Sequence, residues 1–178
     1  MFKVRIGGWA GQGTVRAGSL LGKSLAIEQG YDVVQKRSYS AAVRSGIAYS
    51  DVIADKENVD ELVIDVPDFL LILYQKTLDE WKSTAEKSRF LIVDSTRVDD
   101  IPGIEGETHR VPAGQIAEDI ATAKAANVVL LGALANVSDD IDLESLKKIV
   151  KSDFPEKYVD MNLEALEKGY EEIKKEGK

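Results

Sequence analysis

A chain of 178 residues, 44% hydrophobic and 30% charged, is sized for one domain with its own core. A formal net charge of −8 argues against a nucleic-acid binder, which needs a basic face to neutralise phosphates. With no cysteine the chain cannot supply a disulfide, a thiolate nucleophile or a cysteine-ligated iron–sulfur cluster, and its single histidine, His109, has no suitably spaced carboxylates to complete a zinc site.

Residues 2–6 alternate in the manner of a short strand and lead into the turn Gly7-Gly8-Trp9-Ala10-Gly11-Gln12-Gly13. Ala17, Leu20, Leu21, Ser24 and Leu25 then recur at helical spacing, and Gly30 stands where a left-handed C-cap ends that helix. Residues 31–35 read as a second strand, so the opening is a strand–helix–strand unit of a parallel sheet. Residues 36–46 read as a polar, basic loop, and residues 47–54 return to strand character. Residues 69–74 form a continuous apolar run, expected of a strand covered on both faces. Thr77 and Glu80 have the spacing of a capping box for a helix to about Lys87. Residues 89–93 and 107–111 read as further strands, the first ending at Asp94, and Pro112 opens a helix. Residues 125–137 are apolar nearly all round, a buried helix, while 142–151 and 162–175 read as surface helices.

The fold class is therefore α/β: a Rossmann-like three-layer domain, a mostly parallel sheet with helices on both faces. Residues 1–178 form one domain, with a C-terminal helical arm at about 160–178. No apolar run approaches the ~20 residues that span a bilayer. Residues 1–6 carry Lys3 and Arg5 and run straight into glycines, unlike a signal peptide, so the expected location is cytoplasmic with no membrane partner.

The glycine turn falls between two nucleotide motifs and fits neither. The dinucleotide fingerprint needs glycine where Arg16 stands, and the triphosphate loop needs lysine where Thr14 stands. Two uses remain: a tight turn for close helix–sheet packing, or an anion site built from backbone amides and a helix N-terminus. Arg16, a cation in the first helical turn, opposes the helix dipole by a few tenths to ~1 kcal/mol. It calls for a nearby anion, either a carboxylate of the fold or of a partner, or a ligand phosphate. Lys36, Arg37 and Arg44, interleaved with Ser38 and Tyr39, fall at the same sheet edge as the glycine turn if the strands are parallel. A solvated loop is the plain alternative.

In order and spacing these residues resemble the gamma subunit of 2-oxoacid:ferredoxin oxidoreductases, the enzymes of pyruvate, 2-oxoglutarate, 2-oxoisovalerate and indolepyruvate. That family opens on G-x-G-G-Q-G; here Gly8-Trp9-Ala10-Gly11-Gln12-Gly13 stands, with Ala10 where glycine is usual. Its next signature resembles S-Y-G-P-E-A-R-G-G, of which Ser38, Tyr39, Arg44 and Gly46 are kept. Leu91-Ile92-Val93-Asp94-Ser95, Val111-Pro112-Ala113, Asn127 with Leu131-Gly132-Ala133-Leu134, and Asn162-Leu163 with Gly169-Tyr170 follow in family order.

The resemblance implies oxidative decarboxylation of a 2-oxoacid to an acyl-CoA, with electrons passed to ferredoxin. Thiamine diphosphate and the iron–sulfur clusters are then held by alpha-, beta- and delta-type subunits. This chain is implied to be an accessory subunit, without catalytic or metal-binding residues of its own, that helps hold coenzyme A. Gly8, Gly11, Gln12, Gly13, Ser38, Tyr39 and Arg44 are the residues it points to for contact with a phosphate-bearing cofactor or, for the turn and Arg44, with a neighbouring subunit. The alternative reading is a stand-alone Rossmann-like nucleotide-binding enzyme.

Overall fold

A computed structural model describes residues 1–39 and 46–176. Its centre is a six-stranded sheet: β1 (Phe2–Trp9), β2 (Asp32–Tyr39), β3 (Ile47–Asp55), β4 (Phe69–Ile72), β5 (Phe90–Asp94) and β6 (Glu107–Val111). The spatial order is β2-β3-β1-β4-β5-β6. β1, β4, β5 and β6 pair in parallel, while β3 runs antiparallel to both β1 and β2. Only β3 therefore opposes the common strand direction, and the sheet is mostly parallel as expected.

The opening strand–helix–strand unit is present, but β1 and β2 are not neighbours. The crossover leaves a gap of one strand, which β3 fills by folding back from β2 as an antiparallel hairpin. This pairing corrects the expected loop at residues 36–46. Residues Lys36 to Tyr39 belong to β2, with Tyr39 paired to Ala48 and Lys36 to Asp51. Their polarity misled the local reading because β2 is an edge strand, where charged side chains are tolerated and guard the open edge.

The helices divide unequally between the two faces. The first face carries α1 (Thr14–Lys23), α4 (Ala113–Ile120), α5 (Ala126–Val137), α6 (Leu143–Asp153) and α7 (Val159–Glu176). Val4, Ile6, Leu71 and Ile92 from the sheet meet Leu20 and Leu21 of α1, Leu25 of the π-helical turn Ser24–Glu28 that follows it, and the apolar surface of α5 in one core. α5 is buried from Ala126 to Ala135, as its all-round apolar sequence requires. The second face carries α2 (Gln75–Glu80) and α3 (Lys82–Lys87), whose Leu78 and Ala85 cover Leu70, Ile72, Leu91 and Val93. Among the described residues no helix is long and apolar enough to cross a membrane.

Two caps differ from the local reading. α2 begins at Gln75 after Tyr74, not at a Thr77 capping box, because Thr77 is fully buried beneath β1. The helix expected to run to Lys87 is broken at Trp81, whose indole lies over Gly7. Asp94, fully buried at the end of β5, accepts hydrogen bonds from the Thr96 and Gly114 amides and so ties β5 to the start of α4.

Asp142 is the side-chain N-cap of α6, accepting from the Ser145 amide at 2.8 Å and from the Ser145 hydroxyl at 2.7 Å. The Ser145 hydroxyl, aided by nearby amides, holds the Asp142 carboxyl below its ordinary value of 3.8. A carboxyl depressed in the folded state stabilises above its unfolded pKa and loses that contribution as pH falls through the folded one. Asp142→Ala is therefore expected to cost about 1 kcal/mol near neutrality. In urea titrations at stepped pH, the difference between the two proteins should shrink only in the acid range below 3.8.

Candidate functional site

The carboxyl end of β1 runs into the glycine turn, and the turn is stapled by its own side chain. The Gln12 Oε1 accepts from the Trp9 amide at 2.6 Å, and its Nε2 donates to the Leu73 carbonyl at 3.0 Å. Gln12 thus clips the end of β1 to the end of β4. Gly8 makes room for that fold-back: a Cβ there would stand 2.8 Å from Gln12 Oε1 and 2.9 Å from Leu73 Cβ. Gly11 and Gly13 adopt φ of +93° and +77°, a region costly for residues bearing a Cβ.

Gly13 is also the N-cap of α1, with no side-chain cap and no acidic residue in the first turn. Its carbonyl accepts from the Ala17 amide at 2.9 Å and from the buried Asn127 Nδ2 at 2.8 Å. Asn127, from the first turn of α5, thereby fixes the turn against the far helix. The first amides of α1 carry no side-chain anion of the fold, which leaves a positive dipole end beside an open glycine: an added Cβ on Gly11 would meet nothing within 4 Å.

Two cavities flank the turn and share Gly11, Gly13 and Arg16. The larger, about 580 Å³, lies between the turn, the link from α4 to α5 and the link from α6 to α7; Lys124, Asn127, Phe154 and Tyr158 line it. The second, about 490 Å³, opens toward β2 and is lined by Ser19, Arg37 and Asp153. In a chain carrying −8 overall, Arg16, Arg37 and Lys124 face these cavities against one lining carboxylate among the described residues, Asp153.

Arg16 does have the anion its position calls for. Its Nη2 donates to the Asp153 carbonyl at 3.1 Å and lies 3.4 Å from Oδ2, and the guanidinium sits 4.0 Å from the centre of the Phe154 ring. Asp153 is shared with Lys23, so one carboxylate serves two cations. Arg37 donates to the Gln35 side chain at 3.1 Å and remains exposed. Trp9 is a packing residue of the turn, its ring 5.5 Å from that of Tyr74.

The residues singled out in the sequence do converge in part. Gly8, Ala48 and Tyr39 form one row across β1, β3 and β2, which brings Ser38 and Tyr39 to the same sheet edge as the turn. Arg44 lies outside the described residues. Gly46, just before β3, accepts from the Ala10 amide through its carbonyl. Lys124, Asn127, Phe154 and Tyr158 were not singled out as site residues. They lie more than 100 residues from the turn, and apart from Asn127, which stands in the family order, no local pattern marks them.

Residues 3–172 match the family described as pyruvate ferredoxin/flavodoxin oxidoreductase. The 2-oxoglutarate synthase subunit KorC of Methanocaldococcus jannaschii is 32% identical over 175 residues, covering 97% of this chain and 94% of that protein. The gamma subunit of a keto/oxoacid ferredoxin oxidoreductase from Geobacter sulfurreducens superposes with a TM-score of 0.88 at 28% identity, covering 98% of this chain and 99% of that one. A 2-oxoglutarate:ferredoxin oxidoreductase from Magnetococcus marinus, solved with 2-oxoglutarate, coenzyme A and succinyl-CoA bound, shares the fold. Its TM-score is 0.87 at 24% identity, and the match covers 98% of this chain and 31% of that one.

Proposed function

This chain belongs to the pyruvate ferredoxin/flavodoxin oxidoreductase family and is a gamma subunit of 2-oxoacid:ferredoxin oxidoreductase complexes, and from that premise we propose that its glycine turn holds the phosphate-bearing part of coenzyme A. The observation that carries this reading is the open Gly11 between two cavities faced by Arg16, Arg37 and Lys124. A nucleotide with several phosphates needs close backbone approach, a helix N-terminus and dispersed cations, and this edge offers all three.

In this reading the chain is non-catalytic. Among the described residues no group of histidines and carboxylates could hold a metal ion, and the sequence has no cysteine for a cluster. The neighbouring subunits, of alpha, beta and delta type, hold thiamine diphosphate and the iron–sulfur clusters and pass electrons to ferredoxin. Coenzyme A supplies the thiol that accepts the acyl group. Lys124 and Arg37 neutralise its phosphates, Gln12 keeps the turn in shape, and Phe154 and Tyr158 offer apolar surface beside the phosphates. A stand-alone nucleotide-dependent enzyme finds no support in these relationships.

Hydrogen bonds to charged groups contribute about 1.5–3 kcal/mol, and 1.4 kcal/mol is a factor of ten. Lys124→Ala and Arg37→Ala, each reconstituted into the complex, are expected to raise KM for coenzyme A about tenfold while kcat at saturating coenzyme A is retained. Unchanged KM in both variants would leave the turn a packing feature and sink the proposal.

A further inference from the structure

The second face of the sheet is covered unevenly. Over β4 and β5 it carries α2 and α3. Over β2 and β3 it carries no helix among the described residues: residues 56–68, the link from β3 to β4, cross it as an irregular strap. Val59 and Ile64 of the strap pack inward on Ile53, with Val34 beside them. Arg5 donates to the Ile64 carbonyl at 2.9 Å, and Lys3 pairs with Glu61 at 2.7 Å. The strap is thus fastened from beneath, and its outer side is set.

The exposed residues of that outer side are mainly apolar and acidic. Leu62, Val63 and Val66 are 61%, 53% and 38% exposed, three of the six most exposed large apolar side chains among the described residues. Glu57, Asp60 and Asp65 are exposed beside them in sequence, while the exposed Lys56 at the start of the strap lies over the Tyr31 ring at 3.8 Å, leaving the carboxylates in excess. Mostly parallel sheets bury both faces under further layers, and clustered exposed apolar side chains rimmed by charge mark interaction sites.

We propose that this strap is a docking surface for a neighbouring subunit of the same oxidoreductase complex, one presenting apolar side chains ringed by lysine or arginine. The proposal rests on the chain being a subunit, and it concerns a surface other than the glycine turn. The strap leaves β3 at Asp55, the end of the sheet opposite the turn. The charge selects the occupant. A second copy of this chain would bring the same carboxylates and a net −8 against them, whereas a basic rim is attracted.

The test is reconstitution of the complex without coenzyme A, using Leu62→Asp/Val63→Asp and the milder Leu62→Ala/Val63→Ala. Both sites are exposed, so circular dichroism and melting of the isolated subunit should match wild type. The aspartate pair is expected to fail to co-elute with the other subunits and the alanine pair to weaken association at least tenfold. Wild-type assembly should also weaken with rising salt. Co-elution of both variants as in wild type overturns the proposal. So does a wild-type chain that dimerises alone and becomes monomeric in the aspartate variant, since that assigns the strap to a second copy. Glycine-turn variants that raise KM for coenzyme A leave this assembly readout untouched, so the two readings fail separately.

Discussion

Replacing Gly132 with valine is expected to destabilise the protein by about 3 kcal/mol or more, the upper end of what overpacking does in a core. α5 and α7 cross with backbones in contact. A Cβ on Gly132 would stand 1.9 Å from the Leu166 carbonyl oxygen, and a Cβ on Gly169 the same distance from the Val129 carbonyl oxygen. Both obstacles are backbone, so no rotamer change relieves them. α5 is surrounded by core on every side, which leaves it nowhere to retreat. For a domain of this size each kcal/mol moves the melting temperature by about 2–4 °C, so a fall of about 6–12 °C should be seen by calorimetry. Gly103→Ala serves as the control, because an added methyl there meets nothing within 4 Å. Equal melting of the two variants would show that the helices do not cross as described.

Arg5→Met should be comparably damaging, for an electrostatic reason. Asp51 is 3% exposed in the middle of the sheet, and Arg5 meets it through Nε at 2.7 Å and Nη2 at 2.8 Å. The guanidinium lies 5.3 Å from the centre of the Tyr49 ring and 5.5 Å from that of Trp81. The hydrogen bond to Asp51 pushes the Arg5 pKa above its already high ordinary value, so the guanidinium stays charged. Removing one partner leaves a buried charge uncompensated, at about 3–5 kcal/mol, whereas replacing both by apolar residues of similar volume is often neutral. Arg5→Met/Asp51→Leu is therefore expected to recover most of the loss in chemical denaturation. A double variant no better than Arg5→Met alone would mean that the arginine acts through packing rather than charge.

What could be read from the sequence follows the range of the interactions involved. α5 was legible because a segment apolar all round can only be buried, and β4 because a short unbroken apolar run suits a strand covered on both faces. The strand–turn–helix was legible because its glycines and the helical stripe behind them are local, although Gly7, Gly8 and Trp9, expected in the turn, belong to β1 and pair with β3. The insertion of β3 between β1 and β2 was not, since pairing partners up to 52 positions apart, as with Phe2 and Ala54, leave no local mark. Lys36 to Tyr39 looked like a loop because an edge strand need not hide its charges. At the site, Arg16 announced a missing anion, yet Asp153 is supplied 137 positions later, where nothing in the sequence ties the two together. The cavity walls at Lys124, Phe154 and Tyr158 come from helix links that the fold brings over the turn, and only the tertiary arrangement reveals them.

Recognition of the coenzyme A phosphates at the glycine-turn edge, as proposed, is open to direct measurement. Its most direct test compares coenzyme A with pantetheine, which carries the same thiol without the phosphates, in the reconstituted complex. Wild type is set against Arg16→Ala/Arg37→Ala/Lys124→Ala. The triple variant is expected to raise KM for coenzyme A at least tenfold and to leave KM for pantetheine within about twofold, by the energy of lost charge-assisted hydrogen bonds. Equal change for both thiols, or no change for coenzyme A, would contradict it.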